Sequence, residues 1–116
     1  MQLNELVEDQ VFSPALIADE LRTTRREIAG TLGLGKDAFT RTSRIRARKS
    51  QVRLRQMLEI LNRIEPEMDS PIAAYAWFRS ARLPGFGGAT PDLLVREGKG
   101  EHVRAYLDRV AAGGYA

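Results

Sequence analysis

The stretch LRQMLEILNRIEP, residues 54–66, places Leu54, Met57, Leu58, Leu61 and Ile64 at i, i+3, i+4, i+7 spacing. That is one face of a helix turned toward a core, and Pro66, which has no N–H to give, predicts its end. The same period continues on both sides. Upstream, Ser13-Pro14 supplies a hydroxyl cap and a proline for the first helical position, ahead of Leu16, Ile17 and Leu21. Thr24-Arg25-Arg26-Glu27 reads as a capping box, opening a helix that carries Ile28, Ala29 and Leu32 and stops at Gly33. A third helix is expected over about Lys36 to Ser43, with Phe39 facing inward. Downstream, Asp69-Ser70-Pro71 starts a helix through Ile72, Tyr75, Trp77 and Phe78. A glycine- and proline-rich loop spans Leu83 to Ala89. Thr90-Pro91 caps a short helix with Leu93 and Leu94, broken by Gly98 and Gly100, and a last helix carries Val103, Tyr106, Leu107 and Val110 before Gly113-Gly114. The expected fold class is all-α. Residues 1–12 form an N-terminal segment, either frayed or a short strand, residues 13–66 one helical half and residues 67–116 another.

The chain has 116 residues, of which 43% are hydrophobic and 28% charged, enough for one compact core or two small helical halves. It has no cysteine. That excludes disulfides and thiolate metal sites, and makes a reducing cytoplasm the expected compartment. No apolar run approaches the roughly 18 residues of a membrane span. Met1 to Phe12, with Glu5, Glu8 and Asp9, does not read as a secretory signal. The net charge of +3 hides an asymmetry. Residues 36–55 hold eight Lys and Arg against the single Asp37, while the stretches on either side are each net acidic. Such a block is expected to face a polyanion.

Ala29 and Gly33 sharpen that expectation. In a helix-turn-helix a small residue lets the two helices approach, and four positions later the turn needs a residue that tolerates a left-handed backbone. This reading makes residues 13–66 a helix-turn-helix-like dimerisation and DNA-binding half. It puts a helix over 36–46 in a major groove, with Lys36, Thr40, Arg41 and Arg44 on the groove face. Arg46, Arg48, Lys49 and Arg53 would neutralise backbone phosphates. Operator DNA is the expected partner. Thr42 departs from the pattern, at a position usually apolar, and Ile45 is the substitute. A solvated basic face on a helical bundle is the alternative reading.

Other features that resemble chemistry do not assemble. Gly30 to Asp37 matches a phosphate-binding loop except at its last position, where Asp37 replaces the hydroxyl that Mg²⁺ needs, and no strand precedes it. His102 is the only histidine, without a second nitrogen or sulfur ligand. Tyr75, Trp77 and Phe78 read as core, and Trp77 and Phe78, being adjacent, project about 100° apart on a helix. No nucleophile–base pair stands out. The expectation is a non-enzyme with no cofactor and no metal.

From about Ala73 to Tyr115 the chain resembles the toxin-binding domain of the Xre/MbcA/ParS antitoxin family. The residues that carry the likeness are Ala76-Trp77-Phe78, Leu83-Pro84, Phe86-Gly87-Gly88, Thr90-Pro91-Asp92-Leu93-Leu94, Gly100, Val103, Leu107, Arg109, Gly113 and Tyr115. Phe86 stands where an aliphatic residue is more usual. Residues 13–65 resemble the family's Xre-type helix-turn-helix half. The resemblance implies an antitoxin that pairs with a RES-domain toxin, an enzyme that consumes NAD or transfers ADP-ribose from it. It also implies a homodimer, a C-terminus inserted into the toxin's active site, and repression of its own operon. NAD would be the toxin's substrate. A stand-alone helix-turn-helix regulator without a toxin is the alternative.

Read from the residues, a helix closed by Gly113 and Gly114 can turn its last residues outward. Tyr115 and the carboxylate of Ala116 then offer an aromatic ring and an anion, as a dinucleotide does. The expected toxin contacts are these four residues together with Arg104, Asp108 and Arg109 on the preceding helix.

Overall fold

A computed structural model describes residues 1–113. The first dozen residues resolve as a 3-10 turn at Leu3–Leu6 and two short strands, β1 (Val7–Glu8) and β2 (Val11–Phe12). Val7 stands opposite Phe12 and Glu8 opposite Val11, antiparallel. Asp9 (φ 52°) and Gln10 (φ 71°) make the two-residue turn between them, the left-handed pair that matches the twist of a tight hairpin. The Gln51 side chain receives the Phe12 N–H at 2.9 Å and donates back to its carbonyl at 3.0 Å, so the hairpin is fastened to a helix. All else that is regular among the described residues is helical, as expected: α1 (Pro14–Leu21), α2 (Arg25–Thr31), α3 (Thr42–Ile45), α4 (Arg48–Met68), α5 (Pro71–Ser80), α6 (Pro91–Arg96) and α7 (Gly100–Ala111).

Local chemistry sets most boundaries. The Ser13 hydroxyl accepts the Leu16 N–H at 3.2 Å and Pro14 opens α1. Thr24 accepts the Glu27 N–H at 3.1 Å. The reciprocal half of that capping box is replaced, because the Glu27 carboxylate takes the Thr23 hydroxyl and the Arg79 guanidinium instead. Ser70 accepts the Ala73 N–H at 3.1 Å ahead of Pro71. Thr90 does not cap α6 directly: its hydroxyl donates to Asp92, whose carboxylate also accepts the Leu93 N–H at 2.8 Å.

Two expectations need correction. Pro66 does not end the long helix; α4 continues to Met68 and closes at Asp69, which turns left-handed at φ 71°. Proline there forfeits a single backbone bond one turn from the end, too little to stop the helix sooner. The larger correction concerns residues 36–46, where the expected groove helix does not form. Residues 35–40 are consecutive turns, with Ala38 N–H on the Gly35 carbonyl at 2.9 Å and Thr40 N–H on the Asp37 carbonyl at 3.3 Å. The Thr40 hydroxyl takes the same carbonyl at 2.9 Å, a local bond that competes with helix. Only Ala38 and Phe39 of this stretch are buried, so no apolar stripe organises a longer element. The helical remainder is the four-residue α3.

The core is built around α4. Leu54, Met57, Leu58, Ile60 and Leu61 have no exposed surface, and each such side chain contributes about 1.5–3 kcal/mol of burial. Ala74, Tyr75 and Phe78 from α5, Leu94 and Val95 from α6, and Val103 and Leu107 from α7 pack around it. Ile17, Leu21, Ile28 and Leu32 from α1, α2 and the following turn join the same cluster.

Candidate functional site

Lys36, Thr40, Arg41, Arg44, Arg46, Arg48 and Lys49 are all exposed. They lie on the turns, α3 and the first turn of α4 rather than along one helix. None of these cations meets a carboxylate in an ion pair among the described residues. Arg46 donates to the Asp9 carbonyl at 3.0 Å and so touches the hairpin turn. Arg53 is different. Its guanidinium donates to the carbonyls of Leu32 (2.8 Å), Gly33 (3.3 Å) and Arg96 (3.1 Å), joining the end of α2 to the end of α6. Arg55 lies over the Phe12 ring, 5.4 Å from its centroid.

At the other end of the molecule α7 packs along α4. Arg104 pairs with Glu59 of α4 at 3.5 Å and with Glu101 at 3.3 Å, leaving its buried Nε without a hydrogen-bond partner. Asp108 pairs with Arg63 of α4. Beyond these pairs, the ends of the two helices diverge around a groove of about 460 Å³ with Ile64, Met68, Leu107, Val110 and Gly113 in its lining. Gly113 is exposed at φ 82°, so the chain leaves α7 through a left-handed turn. The 83–89 loop closes on itself by Leu83 N–H to Ala89 O at 3.1 Å and Ala89 N–H to Phe86 O at 3.1 Å. Phe86 meets the Tyr106 ring edge-on at 6.1 Å, bracing α7 from the loop side.

Residues 69–113 match the family model described as the antitoxin Xre/MbcA/ParS C-terminal toxin-binding domain. This part of the chain is similar to that family. No curated protein and no solved structure gives a significant match. The matched segment comprises α5, the glycine loop, α6 and α7, with α4 packed against it from outside. No helix among the described residues is long and apolar enough to cross a membrane.

Of the expected contact residues in the matched segment, Arg104 and Asp108 are held in the ion pairs above with α4, while Arg109 and Gly113 are exposed. Gly114, Tyr115 and Ala116 lie outside the described residues. Sequence reading missed the contribution of α4: Ile64 and Met68 line the groove with α7. Their i, i+4 spacing, running past Pro66, was the available signal.

The domain is also joined to the N-terminal half by a polar contact. The Tyr75 hydroxyl shares a 2.9 Å hydrogen bond with Thr31 of α2. Arg79 lies 4.3 Å from the Tyr75 ring centroid and pairs with Glu27 at 3.1 Å. Burial pushes the Tyr75 phenol above its ordinary pKa, and the Thr31 hydrogen bond and Arg79 only partly offset this.

Proposed function

We propose that this chain neutralises a RES-domain toxin by placing its C-terminal end in the toxin's active site, and that it represses its own operon through the basic 36–53 segment. The observation that carries the first half is the match of residues 69–113 to an antitoxin toxin-binding domain, together with an exposed, left-handed exit at Gly113. Tyr115 and the Ala116 carboxylate enter the pocket that otherwise holds NAD. Arg109 contacts the toxin from the open side of α7. Arg104 and Asp108 act by holding α7 against α4. Three terminal residues are too few for a stable interface of roughly 800 Å² per partner, so the exposed surface of α6 and α7 supplies the remainder. The chain itself performs no catalysis, works in the cytoplasm and acts as a homodimer.

The DNA-binding half of the reading rests on Lys36, Arg41, Arg44, Arg48 and Lys49, exposed cations without carboxylate partners among the described residues. Because α3 is four residues long, the contact is directed at phosphates more than at base edges.

The test uses a RES-domain toxin co-expressed with this chain. Removing residues 114–116 should restore the toxin's NAD consumption while circular dichroism and unfolding of the antitoxin stay unchanged. Full inhibition by the truncated chain refutes the plug, and failure to co-purify with any RES-domain toxin refutes the partner.

A further inference from the structure

The geometry points to a phosphodiester site in the cleft between the start of α2 and the 35–40 turn. This deepens the DNA-binding part of the reading above and rests on it. The cleft has a volume of about 330 Å³ and gathers Arg25, Arg26 and Lys36 with Thr24, Thr40 and Asp37. Arg25 and Arg26 lie outside the basic 36–55 block in sequence, and the fold brings them to it. Phe39, almost wholly buried, also lines the cleft.

The donors are arranged for an anion. Arg25 gives one N–H to the Phe39 carbonyl at 3.3 Å, which steadies the guanidinium at the cleft and leaves its other donors free. Thr24 accepts the Glu27 N–H through its oxygen, so its hydroxyl proton remains available. Arg26 and Lys36 are exposed and meet no carboxylate in an ion pair among the described residues. Glu27, which follows Arg26, is held by Arg79 of α5 and by the Thr23 hydroxyl. Thr40 spends its proton on the Asp37 carbonyl and gives nothing to an anion. Asp37 opposes one, but three cations outweigh it.

An isolated small anion would gain little here, since exposed ion pairs are worth about 0–1 kcal/mol each. A polyanion gains more. The chain runs from the cleft directly into Arg41, Arg44, Arg48 and Lys49, all exposed, and each phosphate neutralised releases counterions. Contacts of this kind carry no base information. The cleft therefore holds the nucleic-acid backbone and adds Arg25 and Arg26 to the interface.

The experiment follows fluorescence anisotropy of the full-length chain on a labelled duplex of its own promoter and on a scrambled duplex, over a series of salt concentrations. Arg26→Ala and Lys36→Ala should each flatten the slope of log affinity against log salt by about 0.9, equally on both duplexes. Arg26→Lys should restore the slope, and toxin inhibition should not change. Unaltered slopes in a wild type that binds DNA overturn the cleft and leave the DNA reading standing. A loss confined to the promoter duplex also overturns it, in favour of base contact. No binding of either duplex by the wild type overturns both.

Discussion

Residues 33–47 and the helices that follow them, from Arg48 to Ala111, use the same charged residues in opposite ways. In the later region Arg63, Arg79, Arg96 and Arg104 each meet a carboxylate, three of them on a neighbouring helix. In the earlier region Lys36, Arg41, Arg44 and Arg46 meet none among the described residues. Burial divides likewise: α4 alone hides Leu54, Met57, Leu58, Ile60 and Leu61 completely, while residues 33–47 hide Ala38 and Phe39. The contrast teaches where structure is specified. A region with an apolar stripe uses its charges to lock helix against helix. A region without one is held by turns and leaves its cations without a carboxylate partner among the described residues.

The sharpest break of this comparison is Phe78→Ala. Phe78 sits fully buried between α5 and the rest of the core, and its loss should cost about 3–5 kcal/mol, read as a lower urea midpoint. Because α1, α2, α4 and α7 share that cluster, DNA binding and toxin inhibition should fall together. Retention of one activity at temperatures where the other is lost would show two independently stable halves.

Gly33 is the joint between the regions and comes next. Its φ is 67°, and a Cβ there would stand 2.6 Å from Cδ of Arg96. Gly33→Ala should cost about 1–2 kcal/mol from the backbone alone, and somewhat more if Arg96 must leave Asp92, with which it pairs at 3.2 Å. An unchanged melting temperature would mean that the turn rebuilds without a left-handed residue.

Tyr75→Phe tests the tie between α5 and α2. It removes the Thr31 hydrogen bond and should cost about 0.5–1.5 kcal/mol. The phenol also gives the tie a pH dependence. The folded chain holds this proton more tightly than the unfolded one. Its contribution is therefore complete below the ordinary phenol pKa near 10 and is lost as pH rises through the raised folded value. Subtracting the Tyr75→Phe melting curve from that of the wild type isolates the effect from the other tyrosines, and a difference that does not change above pH ~10 contradicts it.

Legibility in the sequence divides along the same line. The helices α1, α2, α4, α5, α6 and α7 were readable because Leu54, Met57, Leu58, Leu61 and Ile64, or Ser13-Pro14 and Ser70-Pro71, state a period or a cap in local terms. Residues 36–46 were misread as a helix because Phe39 suggested an inward face, while only Ala38 and Phe39 of that stretch are buried, too few for a helical stripe. The match at 69–113 was visible in the string from Ala76 to Gly113. The groove was not, because Ile64 and Met68 belong to the helix before the domain. Nor was the gathering of Arg25 and Arg26 with Lys36, which depends on the path of the turn and on no spacing.

Arg53 and Arg44 make the finest version of the test, since the sequence places both in one basic block. Arg53→Ala strips donors from the carbonyls of Leu32, Gly33 and Arg96 and should lower stability by about 1 kcal/mol. Arg44→Ala touches no such partner and should stay within about 0.5 kcal/mol of the wild type, while still flattening the salt dependence of DNA binding. A guanidinium already serving three carbonyls has fewer donors left for a phosphate. Arg53→Ala should therefore alter the salt slope less than Arg44→Ala does, although it alters stability more. The reverse order would mean that Arg53 leaves its carbonyls when DNA arrives, and that the bond between α2 and α6 is broken by binding.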